Sequence, residues 1–409
     1  MVMKQGDMEG AVRVKHCAAA VLLLTLLAGA VSGAEAAFIR QTTDYFGTVS
    51  LLCLYDEAEG PAVWEEVKTL LGEIEAAVSV SDPSSDVARF NALEAGESLP
   101  VSEITAEIVS VARRAWEETD GLYDPTVYPL VDLWGFSPRF NTNRAQDAMP
   151  YDRPLQDGQP VPAEDRFVKA LFPLAGFGGV RLERRGGRPF LCKQTPSVVI
   201  ENVRIPAQMD LGGIAKGYAC DRVRALLEKR GCAEGYFVCG GSSMAFLARP
   251  DGSGYTVAAG NPRSLSAEPY AQLAAERTTL STSSDESHSY RSGDILYCHI
   301  IDPGTGYPLN YPAEGEVQRG AASVTLLGES AAMGDALSTA LCLMGPEAAL
   351  RFLEGREEKM VMAVCRSGET LVEVVSNLPR EAVELAAEDC TWACKEENGH
   401  ILYSGEWAR

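Results

Sequence analysis

Histidine is scarce in this sequence, with four in 409 residues, and basic side chains are outnumbered: 57 acidic against 36 basic leave a formal net charge of −21. Nucleic-acid binding needs a basic patch to meet phosphate, and none stands out, which argues against that class. No internal repeat or low-complexity tract occurs. The phosphate-binding glycine patterns of the common nucleotide folds are also missing. There is no G-x-x-x-x-G-K-[ST], and GGIAKG does not match G-x-G-x-x-G. An anionic ligand would have to be held locally by amides, a few cations or a metal. The apolar run CAAAVLLLTLLAGAV, about fifteen residues, is short for a membrane span.

What is present is globular: 46% hydrophobic residues, 22 prolines and 38 glycines. Arg13, Lys15 and His16 precede that apolar run and the small residues VSGAEAA follow it, the order of a secretory signal. Residues 1–36 are read as a signal peptide, cleaved after Ala34 or Ala36, with an uncleaved anchor as the alternative. A lipoprotein would need a cysteine just after LLAG, where Ala30 stands, and Cys17 lies too early. Export without a lipid anchor is expected. Of the 11 cysteines, Cys53, Cys220, Cys239, Cys298, Cys342 and Cys365 lie singly in apolar segments and read as small hydrophobes. Cys390 and Cys394 read as a bridge or as plain burial rather than a metal site.

Periodicity predicts a strand in TVSLLCLY and amphipathic helices from Pro61 to Val80 and through SEITAEIVSVARRAWEETDG, the latter closed by Gly121. Residues 137–162 read as an irregular insertion or boundary. IPAQMDL and LYCHIID read as strands, and strands alternate with helices from Asp210 to about Gly368. The mixture indicates an α+β or mixed α/β domain.

Four stretches can carry chemistry. In DLGGIAKGYACDRV, Gly212 and Gly213 sit where a strand meets a helix. Free amides there suit a phosphate, or the pair simply makes a turn that Asp210 caps. In GDALSTALCLMG, Asp335 and Thr339 lie one helical turn apart with Ser338 beside them. They offer hard oxygens of the kind Mg²⁺ prefers, or form a solvated polar face. STSSDESHSY and HIIDPGTGYP bring a hydroxyl-rich loop and His299, a general base or a satisfied strand histidine. GLYDPTVYPLVDLWGF carries Tyr123 and Trp134, ring-stacking or core.

In their order, these stretches with CGGSS (Cys239 to Ser243) resemble the FAD:protein FMN transferases, the ApbE flavin transferase family, from about Phe46 to about Val364. The resemblance implies a T-fold-like α/β architecture, mixed α+β, with two lobes around a flavin cleft. It implies residues 37–370 as the transferase domain and 371–409 as an extension. It implies an enzyme that uses Mg²⁺ to attach FMN from FAD, by a phosphoester bond, to a threonine or serine of an acceptor protein, releasing AMP. The alternatives are an FAD pyrophosphatase giving FMN and AMP, or a non-catalytic flavin binder. The implied acceptor is a subunit of a membrane redox complex on the extracytoplasmic side.

Residue by residue, FAD contacts fall on Phe46, Ser81, Leu122, Tyr123, Asp124, Asp210, Lys216 and Ile301. Metal positions fall on the Gly213 carbonyl, Asp335, Ser338 and Thr339, and His299 on the proton-transfer histidine. Three positions depart from the pattern: Phe46 for methionine, Ser81 for an aromatic or polar residue, and Ser284 for glycine. No D-[GS]-x-T-[GA]-A-[ST] acceptor motif occurs, so self-modification is not expected.

Overall fold

The computed structural model describes residues 38–56, 58–138, 149–152, 160–262, 269–286, 288–293, 295–309, 320–366, 370–378, 383–384, 393–397 and 400–404. The signal-like residues 1–36, Cys17 and Cys390 lie outside them, as do the side chains of Cys365 and Cys394. Most of the 137–162 insertion does too.

Ten strands make the central sheet: β1 (Phe38–Thr42), β2 (Ser50–Leu54), β3 (Gly235–Cys239), β4 (Ser243–Phe246), β5 (Thr279–Ser284), β6 (Ser323–Gly328), β7 (Lys359–Arg366), β8 (Thr370–Ser376), β9 (Ala393–Glu397) and β10 (His400–Ser404). They lie in the order 1-2-3-4-5-6-7-8-10-9, with antiparallel neighbours throughout. Antiparallel sheets often wet one face and then alternate apolar with polar residues. Here SLLCL of β2 is apolar at every position after Ser50, because both faces are covered. Leu52 and Leu54 enter the core under the helices, while Leu51 and Cys53 enter a second core on the opposite face. That second core is closed by a small sheet of Tyr255–Ala259, Ala271–Ala275 and Val383–Glu384. A third, aromatic cluster holds Trp134, Tyr151, Tyr290 and Tyr297.

Four helices matter for the site: α1 (Gly60–Val78), α2 (Glu103–Glu118), α3 (Gly212–Lys229) and α4 (Ala331–Met344). The first two form as the periodicity predicts. Pro61 sits in the opening turn of α1, Ser102 caps α2 by accepting from Thr105 N, and Gly121 follows α2 at φ +85. Cys53, Cys192, Cys220, Cys232, Cys239, Cys298 and Cys342 are buried free thiols, five of them as the sequence reading holds.

Three expectations are corrected. IPAQMDL is not a strand. Pairing ends at Ile205 and residues 206–211 run irregularly into α3, whose first residues are the two glycines themselves. The strand carrying HIID ends at Cys298, leaving His299 just beyond it and Ile301 in an isolated bridge to Pro308. The strand–helix alternation after Asp210 gives way to an antiparallel meander with α4 inserted between β6 and β7.

Helices α3 and α4 are tied at close range. Gly217 has no side chain where Ala331 O approaches, and a Cβ there would lie 2.1 Å from that oxygen. The Asp221 carboxylate accepts from Ser330 Oγ at 2.7 Å, Ala331 N at 2.8 Å and Ala332 N at 3.0 Å, capping α4 from the neighbouring helix. Asp221→Ala leaves those donors to water at a packed helix end. We expect a loss of about 2 kcal/mol in urea unfolding.

Candidate active site

The site assembles where the N-terminus of α3, the N-terminal half of α4, the start of β4 and the C-terminal half of β5 meet. Asp335 is 6% exposed. Its Oδ2 accepts from Gly217 N at 2.7 Å and its Oδ1 from Ser243 Oγ at 2.8 Å. Burial pushes its carboxyl above the ordinary range, against the pull of Lys216 and these hydrogen bonds. A carboxylate offers about four lone-pair sites, so room for a further partner remains beside these bonds and the Ser281 hydroxyl that also bears on it. The Gly217 N–H belongs, in an uninterrupted helix, to the Gly213 carbonyl. Given to Asp335 at 2.7 Å, it loosens the claim on that carbonyl oxygen.

Thr339 is half-buried, and its Oγ1 donates to Asp335 O at 3.2 Å and lies 3.0 Å from Ser283 Oγ. Ser338 differs. It is fully enclosed, with its hydroxyl held by Asp335 O at 3.0 Å and Ser283 Oγ at 2.8 Å, so it braces the first turns of α4 from behind. The polar side of α4 is therefore turned into the protein, which rules out the solvated-face reading.

Asp210 is half-buried; its Oδ1 accepts from Gly212 N at 2.7 Å and its backbone N–H donates to Pro125 O at 2.9 Å. Burial raises its carboxyl, opposed by the Gly212 N–H and Lys216. Lys216, one turn into α3, acts electrostatically on Asp210, Asp335 and His299, which places the four groups in one cluster. The Tyr123 phenol is 4% exposed, and the carboxylates of Asp210, Asp335 and Asp124 bear on it. Trp134 is enclosed and stacked on Tyr297 at 5.7 Å, a core residue.

Other expected contacts are placed variously. The Asp124 carboxylate is spent internally, accepting from Thr126 N at 2.7 Å and Phe177 N at 2.9 Å, so only its backbone is left for a ligand. Phe46 holds φ +55, a left-handed conformation steadied by its N–H donating to Glu75 Oε1 at 2.7 Å. Leu122 is half-buried, Ile301 is buried, and Ser81 is exposed beyond the end of α1.

His299 has a sealed Nδ1 without a partner, and its ring meets His288 edge-on at 5.2 Å. Burial, then His288, pushes its pKa down to about 3. The ring is neutral at physiological pH. An unfolded histidine titrates near 6.5. The folded state resists protonation, so His299 costs nothing above pH 6.5 and destabilises increasingly as pH falls toward 3. His299→Gln should lose less stability between pH 7 and pH 4.5 than the parent in parallel thermal melts.

Several supports were not singled out from sequence. Ser243 and Ser283 sit in motifs already noted, yet nothing in them marks which hydroxyl meets Asp335. Asn91 pairs its amide with Met209 N and O at 2.8 and 2.9 Å, and buried Lys193 donates to Asn91 O and Ala207 O at 3.0 and 2.7 Å. Together they pin the irregular run before Asp210, and burial lowers the Lys193 amine to about 8. No local pattern announces such a long-range clamp.

Among the described residues no cluster of three or more His, Cys, Asp or Glu side chains is suited to a metal. The candidate set here is one carboxylate, a hydroxyl and a peptide carbonyl, all hard oxygens.

The ApbE family model matches residues 46–364. A relative named FAD:protein FMN transferase from Klebsiella pneumoniae (strain 342) is 28% identical over 331 residues, covering 80% of this chain and 84% of that protein. One of the same name from Vibrio cholerae is 28% identical over 349 residues, covering 84% and 92%. The solved flavin transferase ApbE from Vibrio cholerae superposes with a TM-score of 0.62 at 26% identity, covering 80% of this chain and 94% of that one. The apo flavinyl transferase ApbE of Pseudomonas stutzeri gives 0.62 at 27% identity, covering 81% and 91%. With most of its length matched by one family model, and the same mixed helix-and-sheet fold in both solved structures, this chain belongs to the ApbE family.

Proposed function

We propose that this protein is a Mg²⁺-dependent FAD:protein FMN transferase that forms a phosphoester between FMN and a threonine or serine hydroxyl of an acceptor protein and releases AMP. The observation that carries the reading is the buried Asp335 carboxylate, bonded to the α3 backbone at Gly217 and coupled through Lys216 to Asp210. Family membership and the names of the relatives supply the flavin.

The donor set fits a hard cation. Asp335, Thr339 and the Gly213 carbonyl would hold Mg²⁺, with Ser338 bracing the turn rather than binding. When bound, the ion supplies charge neutralisation on the two linked phosphates. The chain's own groups do the rest. Asp210 and Lys216 fix the dinucleotide at the head of α3, where amides and the positive end of the helix favour anions. His299, a half-buried neutral ring of which only Nδ1 is sealed, takes the proton of the acceptor hydroxyl as that oxygen bonds to the FMN-side phosphorus. The bond from this phosphorus to the bridging oxygen breaks, and AMP departs with the bridging oxygen. An acidic protein can thus handle a pyrophosphate without a broad basic surface.

We further propose that it works outside the cytoplasm on a subunit of a membrane redox complex, a reading supported by the order of charges, apolar run and small residues in 1–36. Among the described residues no helix is long and apolar enough to cross a membrane.

The test is incubation with FAD, Mg²⁺ and a candidate acceptor domain, read by intact mass. Transfer adds one FMN moiety to the acceptor and is lost in EDTA. Free FMN and AMP beside an unmodified acceptor would mean hydrolysis, and FAD recovered unchanged would mean storage. Turnover surviving thorough chelation would remove the metal from the scheme.

A further inference from the structure

The turn from Tyr45 to Thr48 breaks a local rule. Thr48 N donates to Tyr45 O at 3.2 Å, and the two residues between them, Phe46 and Gly47, stand at φ +55 and φ +60. Two left-handed centres are the mark of a type I′ turn, whose first centre ordinarily takes asparagine, aspartate or glycine. Glycine fits at Gly47. A phenylalanine before it crowds its own backbone, and such a conformation persists only when the surroundings hold it.

The hold comes from α1. In its last turn, Glu75 Oε1 accepts the Phe46 N–H at 2.7 Å, and among the described residues the Glu75 side chain makes no other hydrogen bond. Earlier in the same helix, Gly72 has no side chain where the Tyr45 ring lies; a Cβ there would stand 3.4 Å from Tyr45 Cε1. The helix thus grips the turn at an apolar point and at a polar one.

The turn also borders the site. Thr48 Oγ1 and Lys216 Cδ both lie against Gly240, 3.0 and 3.3 Å from where its Cβ would be, and Gly240 N donates to Val49 O at 2.8 Å. Phe46 is half-buried against the helix-side core, with part of its surface left over. A phenyl ring has no charge and no hydrogen-bonding group. What it can offer a dinucleotide is contact with a planar ring, and such contact depends on placement.

We propose that Glu75 is a positioning residue for substrate binding: by accepting the Phe46 N–H it locks the turn in its left-handed form and fixes where the Phe46 ring meets FAD. The inference rests on the FAD reading above and adds to it a residue that touches no substrate and acts only through Phe46. Without the carboxylate the turn relaxes toward ordinary φ, and binding must first restore the strained form.

Glu75→Ala removes the acceptor, whereas Glu75→Gln keeps one. Both replacements suit a helix, so α1 survives either change. FAD affinity is read by flavin fluorescence with Mg²⁺ present, in these variants, in Phe46→Ala and in the double variant. Glu75→Ala should bind FAD about tenfold more weakly, and Glu75→Gln within about twofold of the parent. In the Phe46→Ala background, Glu75→Ala should cost nothing further, because the ring it places is gone.

Parent-like affinity in Glu75→Ala overturns the proposal. So does Glu75→Gln as weak as Glu75→Ala, which makes charge and not the hydrogen bond the working part. Losses that add in full in the double variant overturn it too, since Glu75 then reaches FAD by another route. The transfer reading is judged apart from this, by the intact mass of the acceptor. If the parent moves FMN while Glu75→Ala binds FAD as tightly, only the positioning role is wrong. If the parent binds FAD without transferring FMN and the affinities follow the expected pattern, the positioning role stands and the transfer reading falls.

Discussion

Asp335→Asn should cut transfer about a thousandfold, equivalent to about 4 kcal/mol of barrier, without destabilising the empty protein. Burial opposes the charge on this side chain and raises its carboxyl above the usual value. Folding with Asp335 ionised is therefore a cost in the absence of a cation, and neutralising the group relieves it. The sign is definite. A carboxyl raised on folding contributes stability below its unfolded value near 3.8 and loses it as pH rises through the folded value, so at neutral pH the parent carries the penalty and the asparagine variant does not. Asparagine Oδ1 can still accept from Gly217 N or Ser243 Oγ. Thermal melts with and without Mg²⁺ give the check. Mg²⁺ should raise the parent's melting temperature and leave that of Asp335→Asn unmoved. Equal stabilisation of both would detach Asp335 from the metal.

The second large effect concerns packing. Gly217→Ala should cost about 3 kcal/mol in chemical denaturation and reduce transfer with it. Alanine is the better helix former by about 1 kcal/mol, so propensity alone predicts the opposite sign. Packing wins because the new Cβ would fall 2.1 Å from Ala331 O and 2.4 Å from its carbonyl carbon, backbone atoms that cannot rotate away. Helices α3 and α4 must then part, drawing the Gly217 N–H from Asp335. Two glycines serve as internal controls. At Gly334 the nearest atom is the Ser281 hydroxyl at 2.9 Å, a side chain that can shift, and at Gly213 it is Tyr123 Cε2 at 3.8 Å, ordinary contact. Stability losses should rank 217, then 334, then 213. A Gly217→Ala protein as stable as Gly213→Ala would contradict the helix contact.

Much of the fold is legible where a local period or cap speaks. Pro61, Ser102 and Gly121 bound their helices as their chemistry requires. TVSLLCLY reads as a strand, yet the sequence does not reveal that both faces are buried, since that depends on the small sheet built from distant segments. IPAQMDL misleads for a related reason. Its apolar residues are buried in two cores, Ile205 and Ala207 in the aromatic cluster and Met209 and Leu211 under the helices, while its backbone is held by the Asn91–Lys193 clamp instead of strand pairing, and no local pattern separates the two. The strand boundary before His299 is missed because Ile300 and Ile301 remain buried after the pairing stops.

At the site, residue types were readable and their duties were not. Asp335, Thr339 and Ser338 share one helical turn, but only the tertiary structure turns that face inward and separates half-buried Thr339 from enclosed Ser338. Asp124 and Asp210 look alike as acids beside turns. Folding spends the first on Thr126 and Phe177 and leaves the second at the head of α3.

By itself, then, the sequence determined the family, the helix ends and the inventory of oxygen donors, because these depend on neighbours a few positions away. Which acid is buried and which hydroxyl braces it were decided only when α3 and α4 met across Gly217. Desolvation and hydrogen-bond satisfaction depend on what surrounds a group in space, and here those surroundings come from segments more than a hundred residues apart, such as Gly217 and Asp335.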